Sequence, residues 1–267
     1  TNMRKRLICL TVILSLFVIF TRTSYAAELR RPISPEQPMW LIHIDTWNYP
    51  DPERIIELIP DDILPYCVFN ISLSASDNVC ISGPNVCDSW LKACAAKNVW
   101  CTVQCASGGH SRFSDFDLTY YERYFNEYPN FIGWNFAEQF WGFGEDGTPT
   151  FPERLALFGE ILKICNRYGG YLIVSFTQAE YSADMMPIAY MKRNAIVNEQ
   201  LTNHPENFIC CEKYTMKRGF FEIESNCLGA YLGGYAGQYG IRFDQRPDRN
   251  HQPYLCQSAV HTARFTG

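Results

Sequence analysis

The sequence is poor in histidine and charge, and it carries no surplus of basic residues. Five histidines are scattered over 267 residues. None stands at a metal-ligand spacing, and there is no H-E-x-x-H, so the pattern points to no metal site. The G-x-S-x-G elbow of the α/β serine hydrolases is missing. No G-x-G-x-x-G follows the first strand-like run, which weighs against a dinucleotide fold. Lys and Arg number 23 against 28 Asp and Glu, a net charge of −5, whereas a nucleic-acid protein would show a basic patch or stripe. No cofactor, nucleic acid or obligate protein partner is expected.

Cysteine is not scarce, but its usual patterns are absent. There are 12 cysteines and no C-x-x-C pair. Adjacent Cys210 and Cys211 must point to opposite faces of a strand, while Cys101 and Cys105 share a face. Most read as buried thiols, with at most one or two disulfides. What the chain does have is apolar side chains: 47% of its residues are hydrophobic, and aromatic residues make up 15% of the chain. That composition describes a globular protein with a substantial core.

The first 26 residues read as a secretory signal peptide. Arg4-Lys5-Arg6 is a basic n-region, 7–20 an apolar h-region, and Ser24-Tyr25-Ala26 a small-x-small cleavage site. Met3 reads as the natural start. The apolar run is short for a membrane anchor, so export without a membrane span after cleavage is expected, to the periplasm, the cell surface or the medium.

From Met39 the chain alternates strand and helix. Strand-like runs fall at 39–45, 66–73, 100–104, 131–138, 171–177 and 208–213, with 227–232 as a candidate seventh. Helical spacing falls at 52–59, 88–97, 115–128 and 152–168, the last with Pro152 near its start and Gly169 past its end. Such alternation predicts a parallel sheet, and the number of units favours a (β/α)8 TIM-type barrel over an open doubly wound sheet. Gly229, Gly233 and Gly237 recur every four residues, which reads as close backbone packing.

The stretch from Phe131 to Phe143 organises this pattern. It opens as a buried strand and ends in Glu138 among Trp134, Phe136, Phe140 and Trp141. Aromatic neighbours desolvate a carboxylic acid and favour its protonated form. Such an acid can protonate a leaving group, and aromatic faces also stack on sugar rings. In a parallel barrel, functional residues sit at the C-terminal ends of strands. Polar residues collect at those ends here: Asp45 and Trp47, Asn70 and Ser72, Gln104 and His110, Glu138 and Gln139, Thr177 and Gln178, Glu212 and Lys213. Amides, carboxylates and aromatics without a phosphate-binding loop suit a neutral polyol, that is, a carbohydrate.

Several runs also resemble a known family. Residues 31–45, 70–74, 106–110, 211–215 and 234–244 are similar to the catalytic barrel of glycoside hydrolase family 98. So is Gly133-Trp134-Asn135-Phe136-Ala137-Glu138-Gln139-Phe140-Trp141-Gly142. The resemblance implies an exported, endo-acting, inverting glycosidase that cuts a blood-group-type galactoside or decorated xylan. It implies Glu138 as general acid and Asp244 as base. Asp45, Trp47, Asn70, Gln104, His110, Trp141, Lys213 and Tyr239 become candidate sugar contacts. The resemblance ends near Gln245, before the family's last barrel segment. The expected organisation is therefore a signal peptide over 1–26, a C-terminally truncated barrel over 27–245, and an irregular tail of frameshift character over 246–267. On that expectation the barrel stays open and the chain as given does not turn over substrate. The alternative is a catalytically inactive carbohydrate-binding barrel; a structural barrel without a sugar ligand is a third reading.

Overall fold

The structure is a computed structural model, and it describes residues 26–46, 51–72, 84–107, 118–140, 150–177, 187–215 and 223–244. Seven strands form one parallel sheet in strict chain order. They are β1 (Trp40–Asp45), β2 (Cys67–Ser72), β3 (Trp100–Ser107), β4 (Phe131–Ala137), β5 (Tyr171–Thr177), β6 (Phe208–Thr215) and β7 (Gln238–Asp244). Between them run α1 (Pro52–Ile56), α2 (Pro84–Ala96), α3 (Leu118–Glu127), α4 (Phe151–Tyr168), α5 (Pro187–Met191), α6 (Ala195–Asn203) and α7 (Ile223–Leu232). Parallel strands with helical crossovers need both faces covered, and here the inner face is covered by the sheet's own curvature. Met39, Leu41, Val68, Ile132, Tyr171, Ile173, Ile209 and Cys211 form one buried cluster, so side chains from β1 through β6 share a core inside the sheet. Near the ends of the sheet, Gln238 reaches the Ile33 carbonyl at 3.5 Å. The fold is an incomplete (β/α) barrel. Among the described residues β1 and β7 do not pair, and each is bonded on one side only.

The larger core lies between sheet and helices. Trp90 of α2, Tyr121 and Tyr124 of α3, Phe158 of α4, and Trp134 and Phe136 of β4 are all buried in it. Helix α4 shows why the local sequence folds as it does. Glu153 reaches back to Thr150, accepting from its N–H at 2.7 Å and from its hydroxyl at 2.8 Å. This satisfies a donor that a helix N-terminus leaves open. Gly169 ends the helix in the left-handed region, at φ 68°.

One element departs from expectation. Residues 227–232 are not a strand but the second half of α7, and the seventh strand is Gln238–Asp244. A short run that is apolar on every side cannot be assigned to strand or helix by periodicity, and here the polar start at Glu224, Ser225 and Asn226 carries the helix into it. Of the three glycines spaced four apart, Gly237 packs closest to other backbone, while Gly229 faces open space.

The segment before β1 is a clasp. Arg30 donates to four main-chain carbonyls: Phe125 at 2.7 Å, Tyr168 at 3.0 Å, Phe131 at 3.1 Å and Tyr128 at 3.2 Å. Arg31 is fully buried and donates to the Pro38 carbonyl at 2.6 Å, while Tyr171 donates its hydroxyl to the Arg31 carbonyl at 2.7 Å. These contacts bind the chain's first described residues beneath the barrel and against α3, α4 and β5.

Eight cysteines are buried and not bridged: Cys67, Cys87, Cys94, Cys101, Cys165, Cys210, Cys211 and Cys227. Burial pushes the thiols of Cys67, Cys101 and Cys165 up from their ordinary values. No described helix is long and apolar enough to cross a membrane. Residues 1–25 of the stretch read as a signal peptide, and the 246–267 tail, lie outside the described residues.

Candidate active site

The inner face of the sheet is layered. At the N-terminal end of the strands it is closed by the apolar cluster around Ile132, Tyr171 and Ile209. Further along, polar side chains replace apolar ones at the same strand parity. Paired registers place His43 beside Asn70, Asn70 beside Thr102, and Gln104 beside Asn135. Thr102 donates its hydroxyl to Asn70 Oδ1 at 3.0 Å. This turns the Asn70 amide group toward Gln104 Oε1 at 3.3 Å and toward His43 Nδ1 at 2.9 Å. In that orientation Nδ1 of His43 is the acceptor, and the imidazole proton sits on Nε2. Two further inward residues, Asn135 and Ser175, are buried with Oδ1 and Oγ unbonded among the described residues.

Above this layer, at the C-terminal end of β4, the chain turns sharply into Glu138. Its backbone lies in the left-handed region, with φ 57°. A non-glycine residue there is strained by about 1–3 kcal/mol and persists only where its surroundings hold it. Several contacts do so. The Glu138 N–H donates to the Ser175 carbonyl at 3.0 Å, continuing the ladder to β5. The Gln139 side chain donates to the Ala137 carbonyl at 2.5 Å. Fully buried Arg154 of α4 donates Nη1 to the Gln139 carbonyl at 2.5 Å. Phe140 then packs among Phe151, Phe158 and Phe176. Just upstream, Gly133 sits at φ 150°, where a Cβ would come within 2.0 Å of the Tyr171 carbonyl oxygen. Only glycine lets β4 approach β5 this closely.

The Glu138 carboxylate forms an ion pair with the Lys213 ammonium, which projects from β6. Their side chains are 17% and 7% exposed, so the pair is largely withdrawn from water. The sequence reading walled Glu138 with Trp134 and Phe136, and the structure corrects this. Trp134 donates its indole N–H to the Tyr121 carbonyl at 3.2 Å, and Phe136 packs against Phe158. Both rings face the helices.

Of the other sequence-predicted residues, Asn70 and Gln104 belong to the inner polar layer. Lys213 meets Glu138 at the mouth. Asp45 and Asp244 are the last residues of β1 and β7, in register with Ser72 and Thr215. Tyr239 is not brought to the mouth. It lies in the helix-facing core, 5.6 Å from the Tyr231 ring of α7, because its strand parity is that of Cys210 and not of Cys211. Trp47, His110 and Trp141 lie outside the described residues. His43, Thr102, Asn135 and Ser175 escaped the sequence reading. For three of them the signal was present as a polar residue two positions before a strand-end residue: His43 before Asp45, Thr102 before Gln104, Ser175 before Thr177. Among the described residues no group of three or more His, Cys, Asp or Glu side chains could hold a metal ion. The arrangement offers a carboxylate and an ammonium over a floor of amides and hydroxyls, which suits recognition of a neutral, hydroxyl-rich ligand with proton transfer at one carboxyl.

Comparison with known proteins places this geometry. No curated protein sequence matches the chain. Among solved structures it is similar to the catalytic module of a family 98 glycoside hydrolase from Streptococcus pneumoniae TIGR4. That match has 17% identity and a TM-score of 0.65, over 81% of this chain and 39% of the module. The same module in complex with the LewisY pentasaccharide blood group antigen matches at 16% identity and TM-score 0.64, over 80% and 39%. The chain thus spans about two-fifths of the length of those modules. The catalytic domain of a mannanase from Streptomyces sp. SirexAA-E matches at 13% identity and TM-score 0.51, over 88% of this chain and 76% of that one. At these identities the likeness is one of fold. The sequence model of glycosyl hydrolase family 98 matches residues 27–255, reaching past Gln245. On that match, which takes in most of the sequence, the chain belongs to glycosyl hydrolase family 98.

Proposed function

We propose that this barrel is the catalytic part of an exported, endo-acting glycoside hydrolase that cleaves a complex glycan with inversion. The observation that carries the reading is the strained, half-buried Glu138 at the end of β4, held by Ser175, Gln139 and Arg154 and paired with Lys213. Strain held in place at the mouth of a parallel barrel is a mark of function. In this reading Glu138 is the general acid that protonates the leaving oxygen. Before it can do so it must take up a proton, and substrate entering the mouth competes with the carboxylate for Lys213. Asp244 is the base that activates water from the far side. Trp47 and Trp141 stack on sugar rings, and Asp45, Asn70, Gln104 and His110 bind hydroxyls.

The family 98 neighbour bound to the LewisY pentasaccharide makes a blood-group glycan the first substrate to try, with arabinoxylan as the second. In a version extended to the length of the family 98 module it resembles, Glu138→Gln should lose roughly 100-fold or more of hydrolysis, within the range for a positioned general acid, while still binding the glycan in calorimetry. Proton NMR of the first product should show the inverted anomer. In a glycan complex the Glu138 and Asp244 carboxyls should stand roughly 6.5–9.5 Å apart. Equal, measurable turnover by the extended parent and its Glu138→Gln variant would remove Glu138 from the mechanism. Glycan binding by the parent without any product would favour a binding barrel instead.

A further inference from the structure

Two thiols from different elements meet in the helix-facing core. Cys210 lies on β6 and Cys227 on α7; both are fully buried, and their sulfurs are 3.4 Å apart. The adjacent Cys211 faces the barrel interior and belongs to the other apolar cluster. Helix α7 connects β6 to β7, which among the described residues is bonded on one side only. A bond from α7 to β6 would therefore fasten the connection that carries the sheet's last described strand. It would also brace the strand that presents Lys213 to Glu138.

We propose that Cys210 and Cys227 form a structural disulfide when the protein folds in an oxidising compartment. The sulfurs stand 3.4 Å apart and a disulfide needs them at about 2.05 Å, so the two side chains must rotate toward one another as the bond forms. The oxidant is a small-molecule or protein disulfide. The thiolate of one cysteine attacks it, forming a mixed disulfide and releasing one thiol. The second cysteine then attacks its partner's sulfur and releases the other thiol. The two cysteines lose two electrons and two protons, and the oxidant gains both as two thiols. Burial shields the product from exchange, so the bond forms during folding, before α7 is seated.

The test uses the full chain, refolded in a mixture of oxidised and reduced glutathione, then denatured, alkylated with iodoacetamide and digested without reductant. Mass spectrometry should find the peptides carrying Cys210 and Cys227 joined. The link should persist in Cys211→Ser and vanish in Cys210→Ser. Reductant should lower the thermal midpoint of the oxidised parent by several degrees and leave that of Cys227→Ser unmoved. Alkylation of both Cys210 and Cys227 in the oxidised parent overturns the proposal, as does a link through Cys211. The parent measurement stands even where a variant does not fold, and none of it depends on glycosidase activity.

Discussion

At the scale of the residue, Glu138 and Lys213 act as a unit. Each is mostly withdrawn from water and each neutralises the other. Removing one partner of such a pair leaves a charge without its counter-charge in a poorly solvated place, whereas removing both does not. Lys213→Met and Glu138→Gln should each lower the midpoint of denaturant unfolding. The double variant should lose less than the sum, with a coupling of about 1–3 kcal/mol. Strict additivity of the two losses would show that the carboxylate and ammonium do not depend on one another. Glu138 itself was legible in the sequence, as a carboxylate ending an apolar run. Its partner was not. Lys213 lies 75 positions away, and only the sheet order, which sets β6 one strand beyond β5 from β4, makes the two neighbours. The aromatic wall drawn around Glu138 failed for a related reason. Trp134 and Phe136 adjoin it in sequence, but alternation along the strand sends them to the helices.

At the scale of the element, α4 governs the site from outside the barrel. Its first turn is fastened by Glu153, and Arg154, one residue on, grips the carbonyl after Glu138. Hydrogen bonds from the Thr150 N–H and hydroxyl hold the Glu153 carboxyl below the usual carboxylate range. A carboxyl depressed in the folded state adds stability above its unfolded pKa, and that stability is lost as pH falls through the folded value. The parent should accordingly be more stable than Glu153→Gln at neutral pH, and thermal melts should show the gap closing on acidification below the ordinary carboxylate range. A gap that stays constant with pH would mean that the charged cap contributes nothing. The sequence announced this helix through Pro152 and Gly169. It misassigned 227–232, where an apolar run without periodicity served a helix as readily as a strand, and it passed over Gln238–Asp244 as an element.

At the scale of the whole molecule, the sheet has a centre and two ends. β2 to β6 are each bonded on both sides, while β1 and β7 are bonded on one side among the described residues. The Arg30 clasp ties the chain ahead of β1 to α3, α4 and the start of β4, and nothing comparable among the described residues holds the end of β7. Native-state hydrogen exchange should therefore be slowest in β3 to β5, faster in β1, and fastest in β7, since local opening follows the density of buried contacts and paired backbone. Exchange in β7 as slow as in β4 would show that its outer edge is covered.

Local alternation was enough to determine the architecture. Six of the seven strands, the parallel order and the placing of polar residues at strand ends all follow from short-range pattern, because a strand's period and a helix's caps are written within a few residues. Contacts between elements were decided only by the tertiary structure. They include the pairing of Glu138 with Lys213, the inner relay of His43, Asn70, Thr102 and Gln104, the clasp of Arg30 and the meeting of Cys210 with Cys227. Each joins residues on different elements, and no property of either residue alone says which face it will share. That depends on strand register and on how far the sheet curls.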